Sequence, residues 1–363
     1  MSLSVEITLT RFTRALYNRA RRRRIVDARQ KAVAMILLRT LILGLALLAV
    51  PAGPIAAIEL KLTSSAAPES MAHRSVEEFV RRVNARMLAE ATIEPVPMGK
   101  FGETEDKATE ALRFGDLDLF QASTILPRIA PEFGIFDLPF VFKDRAQVRC
   151  FTEEILWPVL APGLEERRYK LVAVFEDGFR QITTDRRAVI RPTDFKGLRI
   201  GMTQDWARSS MFRIWGARSV PTRANEMLLS LKTGLIDGQD GPLAEIDRLK
   251  LHEAQRYLTI TNHIYTPSFL LASTRKFERY PEAVQKALLE EGRAVQAWGL
   301  AQGDEEDAQA RERLVGSGME LQSIERDAFV RASMPLHDQY RSTVQGGRKL
   351  WYKIADLLEK GCR

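Results

Sequence analysis

The sequence predicts an α/β protein of two lobes joined by a hinge, with one long helix running along both. Three observations carry that expectation. Apolar segments alternate between strand and helix periods through 58–120 and again through 198–273, as in sheets built with helical crossovers. The stretch 175–201, FEDGFRQITTDRRAVIRPTDFKGLRIG, separates the two series. It reads as an apolar strand from 171, a break at Asp177-Gly178, and a second strand through Ile182. Residues 281–315 keep helical spacing with no internal proline. At 1.5 Å per residue that is about 50 Å, longer than one lobe.

Residues 58–63 alternate as a strand, and 64–70 form a turn-rich loop. Val76, Phe79, Val80, Val83, Met87 and Leu88 then recur at helical spacing. A strand at 93–96, a helix through Ala108, Ala111 and Leu112, and a strand at 117–120 follow, with parallel pairing expected. Ligands of such sheets sit at the carboxyl ends of strands, so the loops at 64–70, 97–103 and 121–127 are expected to line a cleft. Past the centre, the pattern gives a strand at 198–202, helices at 206–215 and 225–232, a strand at 235–239 and a helix at 243–251. Residues 257–261 and 268–273 read as strands crossing between the halves. Gly316 and Gly318 stop the long helix, and helices at 325–342 and 348–360 finish the chain. The acidic run 304–307 is expected to be a solvated face of the long helix. The division expected is a leader over 1–57, lobe I from 58–177 with 266–305, and lobe II from 178–265 with 306–363.

The formal charge of +7 belongs to the leader. Residues 1–57 hold ten of the 54 Lys/Arg and two of the 47 acids, leaving 44 basic and 45 acidic residues from Ile58 onward. Such a balance gives no electrostatic footprint for nucleic acid. Residues 41–50 (LILGLALLAV), preceded by Arg39 and followed by small residues, read as the core of a secretory signal peptide over about 35–57. Met35 is the better start for a signal of ordinary size, which leaves 1–34 as a stretch that need not be translated. An uncleaved N-terminal anchor stays open, because counting from Ile36 lengthens the apolar run. Cys150 and Cys362 could pair in an oxidising compartment, though sequence does not fix their distance. His73, His252, His263 and His337 lack ligand spacing, so no metal is expected.

Five segments resemble, in register, signatures of one family. They are PEFGIFDLPFVF (131–142), DGFRQIT (177–183), DFKGLRI (194–200), IDGQ (236–239) and YLTITNH (257–263). Together, over roughly 58–340, they are similar to the extracytoplasmic solute receptors of tripartite ATP-independent periplasmic (TRAP) transporters, of the dicarboxylate-binding type. The resemblance implies a periplasmic-binding-protein fold in which the long helix spans both lobes and an organic acid anion is clamped between them. It implies periplasmic location, delivery to small and large integral membrane subunits, and no cofactor. No GxSxG, HExxH, P-loop or GxGxxG is present, so catalysis is not expected. A ligand-sensing module for a membrane signalling protein is the alternative use of the same fold.

Within that family the arginine corresponding to Arg180 touches the ligand, and a guanidinium fork suits a carboxylate. An ordinary salt bridge is the competing reading of Arg180. Four positions depart from the family pattern. Gly201 stands where a second arginine usually bridges the carboxylate, Gly241 where an Asn is usual, and Ala224 and Leu228 where an aromatic and a Tyr are usual. These changes predict a ligand bulkier than a small dicarboxylate, or one whose acid group is held differently, unless the register is misplaced by a residue. Arg199, Arg208 and Arg223 flank the altered positions, and strand alternation favours Arg199 as the replacement. Gln204, Trp206, Gln239, Asp240 and Tyr265 complete the expected ligand contacts. Asp205 suits an N-cap, and Phe140 suits core packing.

Overall fold

The computed structural model describes Met35, residues 57–87, 90–123, 125–202 and 206–361, and not the side chain of Trp206. The leader reading, Leu88, Gln204, the N-cap reading of Asp205 and Cys362 lie outside the described residues. From residue 57 onward the described chain belongs to one compact unit.

The first half begins with β1 (Ile58–Ser64), α1 (Met71–Arg86), β2 (Ala91–Pro95), α2 (Glu105–Phe114) and β3 (Leu119–Ala122). Ser70 and Thr104 cap the two helices by accepting from the backbone N–H three residues on. β1 pairs in parallel with both β2 and β3, as the alternation predicted. After α3 (Arg145–Phe151) comes β4 (Tyr169–Thr184), a strand of 16 residues. The expected break at Asp177-Gly178 is absorbed inside it, by a register shift between Glu176 and Gly178 and a φ of +98° at Gly178.

The second half holds β5 (Arg199–Met202), α4 (Trp206–Trp215), β6 (Arg218–Pro221), α5 (Met227–Lys232), β7 (Gly238–Pro242) and α6 (Leu243–Arg248). β8 (Tyr257–Ile260) and β9 (Tyr265–Ser273) follow, and then α7 (Glu282–Gly316), β10 (Glu320–Ser323), α8 (Arg326–Thr343) and α9 (Gly347–Lys360).

One sheet half runs β2-β1-β3-β9-β4, and the other carries β4-β7-β5-β6, with β8 beside β4 and β10 beside β8. Strand β4 therefore belongs to both. Its residues 169–179 pair with β9, Arg180 to Thr184 pair with β7 on one edge, and Ile182 to Thr184 pair with β8 on the other. The expectation of parallel pairing holds within each half but fails at the crossing. There β4 runs antiparallel to β7, β8 and β9, and β9 antiparallel to β3. A segment that passes from one half to the other and a segment that returns must run in opposite senses.

Packing fixes the two halves on the crossing. Helices α1 and α7 cover one face of the first half, burying Phe79, Phe175, Val172, Leu270, Leu288 and Val295. Gly292 of α7 lies against the carbonyl of Val172, leaving no room for a β-carbon. The opposite face buries Phe120, Phe133, Phe136, Phe151 and Phe269. It continues into an aromatic cluster of the second half, where Trp215 stacks edge-on to Phe329 at 4.9 Å. Phe140 packs between them, 6.1 Å from each ring. As expected, α7 runs along both halves, touching α1 and β4 in the first and, through Arg313 and Asp247 2.7 Å apart, α6 in the second.

Candidate functional site

A cleft of about 310 Å³ opens where the two halves meet. The carboxyl ends of β1 and β3 contribute Ser65 to Ala67 and Gln121 with Ser123, so two of the three predicted loops line it. The loop at 97–103 does not. The rest of the wall comes from the start of α1, from Glu176 to Gly178 on β4, from Pro242 to Arg248, and from 303–313 of α7. Polar groups at the strand ends are held in place before any ligand arrives. Ser64 donates to Gln121 Oε1 (2.7 Å), which also accepts from the Ala66 N–H (3.0 Å).

Arg145 at the start of α3 organises the far wall. Its Nε donates to Glu176 Oε1 (2.5 Å), Nη1 to Asp304 (2.9 Å) and Nη2 to Asp307 (2.7 Å). Tyr265 donates to the other oxygen of Glu176 (3.1 Å). Burial nevertheless pushes the Glu176 carboxyl up to about 7, against the pull of Arg145 and Tyr265. The acidic run on α7 is thus only partly the solvated face expected. Asp304 is 69 % exposed, whereas Asp307 is tucked against Arg145 and lines the cleft. Gly303 permits this, since a β-carbon there would stand 2.5 Å from Glu176 Oε1.

The other cleft arginines differ in how firmly they are held. Arg74 is paired with Glu306 and Arg313 with Asp247. Arg248 and Glu245 lie one turn apart on α6 with their charged atoms 4.0 Å apart. Asp177 keeps part of its surface open to the cleft. Burial and then the neighbouring Glu245 carboxylate raise its carboxyl to about 7, while Arg180, Arg248 and Arg208 oppose the shift.

Arg180 is not among the residues lining the cleft. It lies behind the floor, 8 % exposed, with Nε on Asp240 Oδ2 and Nη2 donating to the Asp240 carbonyl (2.7 Å). Arg208 stands 3.6 Å and His263 3.7 Å from the same carboxylate oxygen. Burial works to raise the Asp240 carboxyl, but Arg180, Arg208 and His263 overcome it and hold it well below the usual range. Burial also lowers the pKa of His263, against the pull of Asp240. The structure thus brings Arg180, Arg208 and Asp240 together as a buried ion cluster.

The remaining expected contacts are scattered. Gln239 donates to Thr183 Oγ1 (3.1 Å) inside the sheet, and Tyr265 holds Glu176 from behind. Arg199 forks onto Asp237 at 2.8 and 2.9 Å, and Arg223 is an exposed side chain near Glu226. Neither lines the cleft. At Gly201 there is no vacancy: Ile236, Met227 and Thr222 crowd the place a β-carbon would take, with Met227 Sδ at 3.0 Å. Leu228 packs with the apolar cluster of the second half, and Ala224 opens a short turn before α5. At Gly241 a β-carbon would stand 3.3 Å from Glu245 Oε2, so the missing side chain leaves room for an acidic group. Cys150 is disulfide-bonded.

Arg145, Arg248 and Asp177 went unselected in the sequence. Their signal was weak: Arg145 reaches carboxylates 31, 159 and 162 residues away, and Arg248 reads as a surface helix residue.

Comparison with known proteins places the chain among transport receptors. The family model described as bacterial extracellular solute-binding protein, family 7, matches residues 62–343. A solute-binding protein of Verminephrobacter eiseniae is 30% identical over 283 residues, covering 77% of this chain and 84% of that one. The 2,3-diketo-L-gulonate-binding periplasmic protein YiaO of Escherichia coli is 27% identical over 218 residues, covering 60% and 66%. The crystal structure of a TRAP periplasmic solute binding protein from Ochrobactrum anthropi superposes with a TM-score of 0.76 at 23% identity, over 84% of this chain and 95% of that one.

Proposed function

The chain belongs to the bacterial extracellular solute-binding proteins of family 7, the binding proteins of TRAP transport, and from that premise we propose that its cleft captures a polyhydroxylated monocarboxylate, a sugar acid, in preference to a C4 dicarboxylate. It is a binding protein and not an enzyme. Family members are periplasmic, take small organic acid anions and work with membrane permease components.

The charge of the cleft wall carries the proposal. Seven acidic side chains (Glu69, Glu176, Asp177, Glu245, Asp247, Glu306 and Asp307), with Glu176 and Asp177 raised to about 7, face four guanidiniums. Carboxylates accept hydrogen bonds from hydroxyl groups and repel a second carboxylate. A ligand with one acid group and several hydroxyls suits that wall, and a dianion does not. The glycine at 241 supports the same reading by making room for Glu245. YiaO of Escherichia coli, by its name, takes a sugar acid.

In this reading the sheet half with β1 to β3 and the half with β5 to β7 act as the lobes. The hinge lies where β4 changes partners, at 178–180, and where β9 begins, at Tyr265. The partners are the small and large integral membrane subunits, and export proceeds through the signal peptide at 35–57. Calorimetry with D-galacturonate, D-gluconate, succinate and malate tests the ligand class. Binding of the sugar acids at least about tenfold tighter than the dicarboxylates is expected, and the reverse order overturns it.

A further inference from the structure

We propose that Arg248 on α6 is the guanidinium that grips the ligand's carboxylate. This inference rests on the sugar-acid reading of the cleft. An anion buried in a cleft needs a cation able to turn its donors toward it. Of the four arginines on the wall, Arg145 holds three carboxylates, Arg74 holds Glu306 and Arg313 holds Asp247, each within hydrogen-bond distance. Arg248 differs. Its nearest carboxylate partner is Glu245 at 4.0 Å, and among the described residues its guanidinium donates no hydrogen bond. The side chain is 27% exposed and lines the cleft.

Two further observations remove the competitors. The Arg180 fork is occupied by Asp240 behind the cleft floor. At Gly201 the space for an arginine is already filled by Ile236, Met227 and Thr222. Arg248 and Glu245 also lie side by side on one helical turn. A carboxylate on Arg248 therefore brings the ligand's hydroxyl groups within reach of Glu245, whose oxygens accept from them.

Arg248→Gln keeps the length of the side chain and removes its charge. The probes are D-galacturonate and its neutral counterpart, D-galactose, measured by calorimetry on the full mature chain. Loss of a charge-assisted contact weakens galacturonate binding by roughly tenfold to a hundredfold, and leaves the neutral probe unchanged within about twofold. Arg248→Lys recovers part of the loss, and the thermal midpoint of both variants without ligand stays at the wild-type value. Equal weakening of both probes, or undiminished galacturonate affinity, overturns the assignment of Arg248 while the sugar-acid reading stands. Wild-type protein that takes malate and no sugar acid defeats the ligand class instead. In that case the same substitution is read with malate: a loss of roughly tenfold or more supports Arg248, and undiminished malate affinity overturns it.

Discussion

Replacing Arg180 by Ala tests the buried ion cluster, and folding is where the effect is expected. Arg180 supplies the side-chain hydrogen bond that Asp240 Oδ2 accepts, and a second bond to the Asp240 carbonyl. Asp240 Oδ1 has no hydrogen-bond partner among the described residues. Once the arginine is gone, Arg208 at 3.6 Å and His263 at 3.7 Å remain beside that oxygen among the described residues. Breaking one side of a buried pair costs about 3–5 kcal/mol. The surviving positive charge of Arg208 puts this case near the lower end, about 3 kcal/mol. Against a total of about 5–15 kcal/mol, that is a large share. Urea denaturation followed by circular dichroism reads it directly, as a lowered midpoint at unchanged slope. Arg180→Ala together with Asp240→Ala should be less destabilised than the sum of the two single changes, because the stranded carboxylate is gone. A single-variant loss below about 1 kcal/mol, or strict additivity in the pair, refutes the reasoning. Any loss of ligand affinity in Arg180→Ala has to be corrected for this unfolding before it counts as a binding effect.

Restoring an arginine at Gly201 should fail. The side chain would enter a space held by Ile236 and Met227, costing at least about 1–3 kcal/mol, with no gain in affinity for any acid by calorimetry. Gly292→Ala should cost a similar amount, about 1–3 kcal/mol, because the new methyl presses on the backbone carbonyl of Val172, which cannot rotate away. Thermal denaturation checks both. Asp177, raised by burial and Glu245 to about 7, takes up a proton on folding between its unfolded value near 4 and that pH. Its contribution to stability is therefore complete below about pH 4 and lost as the pH rises through about 7. Asp177→Asn should flatten the fall in urea midpoint between pH 5 and 8, and an unaltered slope would remove Asp177 as its source.

Alternation made the fold legible. The parallel strands of each half, the α7 boundaries and the two closing helices stand close to where apolar spacing put them, because burial on one face dictates those periods. The strand at 320–323 was not legible. ELQS is largely exposed and pairs only along one edge, with β8, so no apolar rhythm marks it. Continuity of β4 was hidden for another reason, since Gly178 reads as a stop but serves as a bulge inside the strand. The cleft was half visible. Its strand-end loops follow from topology, whereas Arg145 and Asp307 meet across 162 residues of chain, and no local pattern records such a meeting. Arg180 was found through its motif, but the motif did not say which carboxylate would take its donors.

The sharing of β4 governs how the polypeptide can be divided. Residues 169–179 supply an edge to one set of strands and Arg180 to Thr184 supply the middle of the other. A scissile bond or new terminus placed between Phe179 and Arg180 would therefore leave residues 169–179 on one fragment and β9, the strand they pair with, on the other. Expression of either piece alone leaves raw backbone donors and acceptors without mates. Engineering that aims to swap one piece between relatives must carry the whole ribbon from Tyr169 to Thr184 with it, or rebuild the seam from both sides.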